Sequence, residues 1–177
     1  MSDHIREAFL RRQYKEGMAL AAESDIFDLT PLTDSDPPSR YLAHFSCRGL
    51  VRDGRGKIVE FDQFRVGIWF TPDYLRYANV AQSLTYLGPH RFPWAPNIRN
   101  PFLCAHIAPG TPLVDLIYVC YELWTWRLFA THDDGLNPAA SQWARNQKSF
   151  RFPIDNRPLK RRSVRTGVAP AKREEME

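Results

Sequence analysis

The chain has little cysteine, no long apolar run and no apolar segment near its start. Its three cysteines, Cys47, Cys104 and Cys120, are an odd number without close paired spacing. That pattern excludes a disulfide framework and a zinc knuckle as the organising device, so each thiol stands alone. The longest apolar run, near Leu113 to Cys120, is broken by Asp115 and falls far short of the roughly 20 residues that span a bilayer. No membrane segment is expected. Met1 to Arg6 carries no apolar signal core with a small-residue cleavage site, so export is not expected and the location reads as cytoplasmic. No aromatic residue interleaves with the late basic positions Arg157, Lys160, Arg161, Arg162 and Arg165, so nucleic acid is an unlikely partner.

What is present suits a folded globule. Hydrophobic residues make up 44% and aromatics 13% of 177 residues, with a net charge of +4. One domain over 1–155 is expected, followed by a basic and then acidic tail over 156–177 that reads as solvated and flexible. Ser2 or Asp3 can cap a first helix with Ile5, Ala8 and Phe9 on its apolar stripe. Its other face carries Arg6, Arg11, Arg12 and Lys15, a basic surface that is either simply hydrated or a docking face for an acidic partner.

A short strand is expected within Asp25 to Pro31. From Tyr41 to Val51, alternate positions Tyr41, Ala43, Phe45, Cys47 and Val51 are apolar, which predicts one half-buried strand with Cys47 in the core. Asp53-Gly54-Arg55-Gly56 predicts a tight turn, and Phe64, Val66, Ile68 and Phe70 an antiparallel partner strand. Phe70-Thr71-Pro72-Asp73-Tyr74 ends that strand in a proline turn, and a weaker strand is expected within Val80 to Leu87. Six prolines then fall between Pro89 and Pro112, so this connection should hold little regular structure, while Phe92, Trp94, Ile98, Phe102 and Leu103 should pin it to the body. Thr111-Pro112 predicts a threonine-capped helix, with Leu113, Leu116, Ile117, Cys120, Trp124 and Leu128 on its buried stripe. That helix should stop near Thr131 to Gly135. Asn137-Pro138 then opens a last helix, and the order of elements is that of an α+β domain.

Two features of the proline-rich connection carry chemistry. Cys104 lies on an irregular segment just before the central helix, and Asn97 lies seven positions upstream. Cys104 is a nucleophile or a small apolar filler beside Phe102 and Leu103; Asn97 is an amide donor to a reacting carbonyl, a staple for its own loop, or both. Cys104-x-His106 could instead be a thiol–imidazole pair of a hydrolase, although such pairs usually come from distant segments. No zinc-ligand spacing links Cys104, His106, His90 or His132, and no cofactor is implied.

A third feature is Asp133-Asp134-Gly135-Leu136-Asn137-Pro138-Ala139-Ala140. Taken in order with Pro96-Asn97, Cys104 and Phe70-Thr71-Pro72-Asp73-Tyr74, it resembles the ubiquitin-conjugating enzymes. That family has an N-terminal helix, a four-stranded antiparallel meander, a His-Pro-Asn segment before the catalytic cysteine, and C-terminal helices joined by an acidic loop. The resemblance covers about Ser2 to Phe152. Ala95 stands where the eukaryotic pattern has histidine, and the step from Asn97 to Cys104 is one residue shorter. Gly135 replaces a proline, and only Gly110-Thr111-Pro112 stands for Trp-Ser-Pro. In these departures the chain is most like divergent bacterial members from ubiquitin-like conjugation operons, some of which act in antiphage defence.

The resemblance implies a transferase. Cys104 would carry a ubiquitin-like protein as a thioester, received from an adenylating, ThiF-like activating enzyme and passed to an amine on a target protein. Asn97 would take the oxyanion role and Asp134, with Asp133 as substitute, the carboxylate that receives the amine. The first helix would face the activating enzyme and the central helix would cradle the donor. The rival implied function is an inactive binding module of the same fold.

Overall fold

A computed structural model describes residues 4–88, 92–128 and 135–161. Helix α1 spans His4–Ala22. Strands β1 (Phe27–Pro31), β2 (Arg40–Phe45), β3 (Gly49–Arg52), β4 (Ile58–Phe61) and β5 (Phe64–Trp69) follow, then a single turn α2 (Val80–Ser83) and β6 (Leu84–Gly88). Three two-residue strands come next: β7 (Phe92–Pro93), β8 (Ile98–Arg99) and β9 (Phe102–Leu103). Helices α3 (Leu113–Thr125) and α4 (Pro138–Asn146) close the described order. The main sheet is four-stranded and antiparallel in the order β1-β2-β5-β6, so the chain is an α+β domain with an N-terminal helix and C-terminal helices.

The strand expected over Tyr41 to Val51 is in fact two. Tyr41, Ala43 and Phe45 face the core on β2, paired with β5 in the register Tyr41↔Ile68 and Phe45↔Phe64. At Ser46 the chain leaves that ladder, because the Arg48 N–H donates to the Asp155 carboxylate at 2.8 Å instead of to a strand neighbour. β3 then pairs with β4 and β7 in a separate small sheet. The Asp53 turn forms as expected, with Asp53 Oδ1 accepting from Arg55 N and Lys57 N, but it joins β3 to β4 and not to β5. Within Val80 to Leu87 the first residues form the turn α2, capped by Asn79, before β6 starts.

The buried face of α1 is Leu10, Gln13, Gly17 and Leu20; of the expected stripe Phe9 packs on the core, while Ile5 and Ala8 are exposed. Ile5 is 76% exposed. The face is set by where α1 crosses α3: a Cβ on Gly17 would lie 2.7 Å from Leu113 Cδ2 and 2.8 Å from Leu29 Cδ2, so any larger residue would have to displace these two leucine side chains. Gln13 is buried and its side-chain oxygen accepts the Leu113 N–H at 2.7 Å. That bond caps α3, whose Pro112 N-cap supplies none. The expected cap, Thr111, turns its hydroxyl back to Ala108.

α3 lays Leu113, Leu116, Ile117, Cys120 and Trp124 on the sheet. Trp124 stacks on Phe64 at 5.1 Å and meets Phe45 and Tyr86 at 6.3 and 5.6 Å. The helix ends at Thr125, earlier than expected. Trp126 takes the left-handed conformation there, held by its indole N–H donating to Trp94 O at 2.9 Å and by stacking on Phe152 at 4.6 Å. Leu128 is consequently exposed and off the stripe. No described helix is long and apolar enough to cross a membrane.

Beyond Pro153 the chain does not loosen at once. Ile154, Asp155 and Leu159 are buried, the Tyr121 hydroxyl donates to Arg157 O, and Arg161 N donates to Glu23 O at 2.9 Å. Residues 156–161 therefore belong to the folded body; the rest of the expected tail lies outside the described residues. Burial alone would raise the Asp155 carboxyl. Hydrogen bonds from the Arg157 side chain and from the Arg48 and Arg157 N–H groups outweigh it and hold the carboxyl down to about 2.

Two outcomes test this framework. Gln13→Leu leaves a buried N–H unpaired at the start of α3 and should cost about 2 kcal/mol in denaturant unfolding. Because the Asp155 pKa is depressed on folding, its stabilisation is complete above the carboxyl's ordinary value of 3.8 and is lost as pH falls towards about 2. Unfolding midpoints measured through that window should fall more steeply in the wild type than in Asp155→Asn.

Candidate active site

The segment from Pro96 to Cys104 is more ordered than its sequence suggests. β8 and β9 pair antiparallel with Ile98 opposite Leu103 and Arg99 opposite Phe102, turning at Asn100-Pro101. Side chains on paired strands alternate between faces. Ile98 and Leu103 point inward and are almost fully buried, whereas Arg99 and Phe102 point outward. The next pair along the ladder is Asn97 opposite Cys104, closed by Cys104 N donating to Asn97 O at 2.7 Å. Alternation therefore sends both out of the core, and Cys104 is exposed.

The Asn97 amide also spans the pair, donating to Cys104 O at 3.4 Å. That length is weak for an amide hydrogen bond, so rotation of the side chain towards an acceptor near the thiol gives up little. Both sequence readings of Asn97 fit here: it staples its own hairpin and stands beside an accessible thiol. Cys47 and Cys120 are buried as expected. Burial pushes both thiols up, Cys120 to about 12, so neither supplies thiolate near neutral pH.

Contacts outside the hairpin hold it in place. Tyr86 N on β6 donates to Pro101 O at 3.0 Å, and Trp94 N donates to Leu50 O at 2.8 Å. At the far end of the connection the Tyr74 hydroxyl donates to Thr111 O and Gly110 N to Tyr74 O. The Phe70 to Tyr74 turn thus anchors the approach to α3. Tyr74 in turn packs edge-on against Phe70 at 4.8 Å, and Phe9 of α1 against Phe70 at 5.3 Å.

The loop before α4 docks on the same hairpin. Asn137 N donates to Pro96 O at 2.9 Å while the Asn137 side chain accepts from Ala140 N and caps α4, as its sequence predicts. Gly135 has φ +57°, and a Cβ there would sit 2.6 Å from Pro96 O. Proline, fixed near φ −65°, cannot occupy that position. Asp133 and Asp134, like His90 and His132, lie outside the described residues.

The basic positions of α1 are engaged with several different partners. Arg6 donates to Phe70 O at 3.2 Å, Arg11 bridges Glu7 and Asp36, Arg12 pairs with Glu16, and Lys15 is exposed. His106 is exposed like Cys104, but no hydrogen bond joins them. Among the described residues no group of three or more His, Cys, Asp or Glu side chains could hold a metal ion. The sequence reading missed the hairpin because each strand is only two residues long. The apolar pair Ile98 and Leu103 about an Asn-Pro turn was its available signal.

Gly135→Ala should cost about 1–2 kcal/mol from the left-handed backbone alone. The Asn137 amide should then exchange faster with solvent in hydrogen-exchange measurements, while the amides of β2 and β5 keep their protection. Comparison with protein-family models, curated proteins and solved structures finds no match to the chain.

Proposed function

We propose that the chain is a ubiquitin-conjugating-type acyltransferase with a fold like that family's. The observation that carries this reading is the cross-strand pair Asn97–Cys104: an exposed thiol with a carboxamide donor directly opposite on a pinned hairpin. The docking of Gly135 and Asn137 on Pro96 adds support, because these two residues belong to the stretch that resembles the family's loop between the last helices. Gly135 departs from the family proline, and its positive φ gives that departure a physical reason. Ala95, in place of the family histidine, is buried, and its carbonyl accepts Ile98 N at 3.3 Å, so the turn into the hairpin closes without an imidazole.

The chemistry has two steps. The Cys104 thiolate attacks the thioester carbonyl of a ubiquitin-like protein held by an activating enzyme, and that enzyme's thiolate leaves as the new thioester forms. An amine of the target protein then attacks the same carbonyl. Negative charge grows on its oxygen, where the Asn97 amide N–H can donate; the tetrahedral species collapses to an amide with Cys104 thiolate as the leaving group. A carboxylate is needed to take the amine's proton, and Asp134 is assigned that role.

The assignment is tested with an adenylating, ThiF-like activating enzyme, ATP and a ubiquitin-like protein that this enzyme charges, on a non-reducing gel. A thiol-sensitive adduct should form with wild type, Cys47→Ala and Cys120→Ala and be lost in Cys104→Ala. If the activating enzyme becomes charged but no adduct follows, the chain is the inactive binding module.

A further inference from the structure

Two adjoining hollows, of about 750 and 510 Å³, lie between the β3–β4 turn, α4 and the β8–β9 hairpin. Both are lined by Arg52, Trp94 and Ala139, so they form one continuous groove. One end is marked by Lys57 beside the turn and the other by Arg99 on the hairpin, with Arg52 between them. Among the described residues, no acidic one lines either part.

Several cations elsewhere on the described surface meet carboxylates, among them Arg11 with Glu7, Arg12 with Glu16, Arg157 with Asp155, Lys160 with Glu23 and Arg161 with Asp25. Among the described residues, no carboxylate pairs with Arg52, Lys57 or Arg99. Arg52 instead lies over the Trp94 ring at 5.7 Å. Asp53, the nearest acid in sequence, spends its carboxylate on the backbone of its own turn. Among the described residues, the groove thus holds three cations without a paired carboxylate, on a partly apolar floor.

We propose that this groove binds an extended acidic segment of a partner protein, with Arg52 as its main contact and Lys57 and Arg99 at its two ends. Extended polypeptide suits the shape, and carboxylates can pair with guanidinium groups two N–H donors at a time. Nucleic acid fits less well, because the aromatic faces it would stack on are taken. Trp143 packs edge-on against Trp94 at 6.1 Å and also against Trp126 and Phe150, while Arg52 covers Trp94. The proposal needs no chemistry at Cys104 and stands apart from the transferase reading.

The test is binding of a fluorescein-labelled octaglutamate peptide to the full chain at low salt, followed by anisotropy. Saturable binding is expected, weakening as salt screens the charges. Arg52→Ala should lower affinity by about tenfold, Arg99→Ala and Lys57→Ala by less, and Arg11→Ala on α1 not at all. In NMR spectra the indole N–H signals of Trp94 and Trp143 should shift on titration while that of Trp69 stays. Thermal melts of the variants identify any that lose affinity by unfolding, and Arg52→Lys, which keeps the charge, should bind more tightly than Arg52→Ala. No binding, equal loss in Arg11→Ala, unmoved Trp94 and Trp143 signals, or tighter binding of an eight-nucleotide single strand would each overturn the proposal.

Discussion

The stack of Trp124 on Phe64, with Phe45 and Tyr86 around it, fixes α3 across the four-stranded sheet, and the path of the segment that carries Asn97 and Cys104 follows from that packing. A fully buried indole on an aromatic bed contributes both area and ring–ring attraction. With α3 set there, the chain that leaves β6 at Gly88 must return to Leu113 over the surface. Residues 92–112 make that return through buried anchors, Trp94, Ile98 and Leu103, and through backbone bonds to Leu50 and Tyr86. The β8–β9 hairpin is the part whose inward pair is buried and whose outward pair is offered to solvent. Cys104 is presented by a strand rule acting on a short ladder.

Which features could be read from sequence depends on how many residues each one spans. The alternation at Tyr41 to Phe45 and Phe64 to Phe70, and the 3.6-residue stripe from Leu113 to Trp124, span enough positions to be legible, and they define the sheet and its helix. The break after Phe45 was not legible, because the group that takes the Arg48 N–H is Asp155, far along the chain. The face of α1 is only partly legible, through Phe9, for a similar reason. Gly17 and Gln13 look unsuited to a core until Leu113 is brought beside them, one needing space and the other an N–H to accept. At the candidate site the sequence points to Cys104 and Asn97 as separate residues. Their pairing needed the register, which two-residue strands do not announce.

Ion pairs join α1 to the loop holding Asp36, and Lys160 and Arg161 to Glu23 and Asp25 just beyond the end of α1. Around the hairpin and the β3–β4 turn, Arg99, Arg52 and Lys57 have no carboxylate partner among the described residues. The exposed cysteine and the uncompensated cations therefore share one region. The other two thiols are buried and pushed up beyond use near neutral pH. Reactive thiol chemistry has Cys104 as its candidate, and the acidic-segment groove ends on the same hairpin.

The claim at the centre of this account is that the Asn97–Cys104 pair works as donor and carrier. The direct measurement is single-turnover discharge: the protein is first charged with the ubiquitin-like protein, the activating enzyme is then quenched, and loss of the thioester to an added amine is timed. Asn97→Ala should charge at the wild-type rate and discharge about 10²–10³ times more slowly, the usual loss when an oxyanion donor is removed. Discharge at the wild-type rate would contradict the assignment and leave Asn97 as a staple of its hairpin.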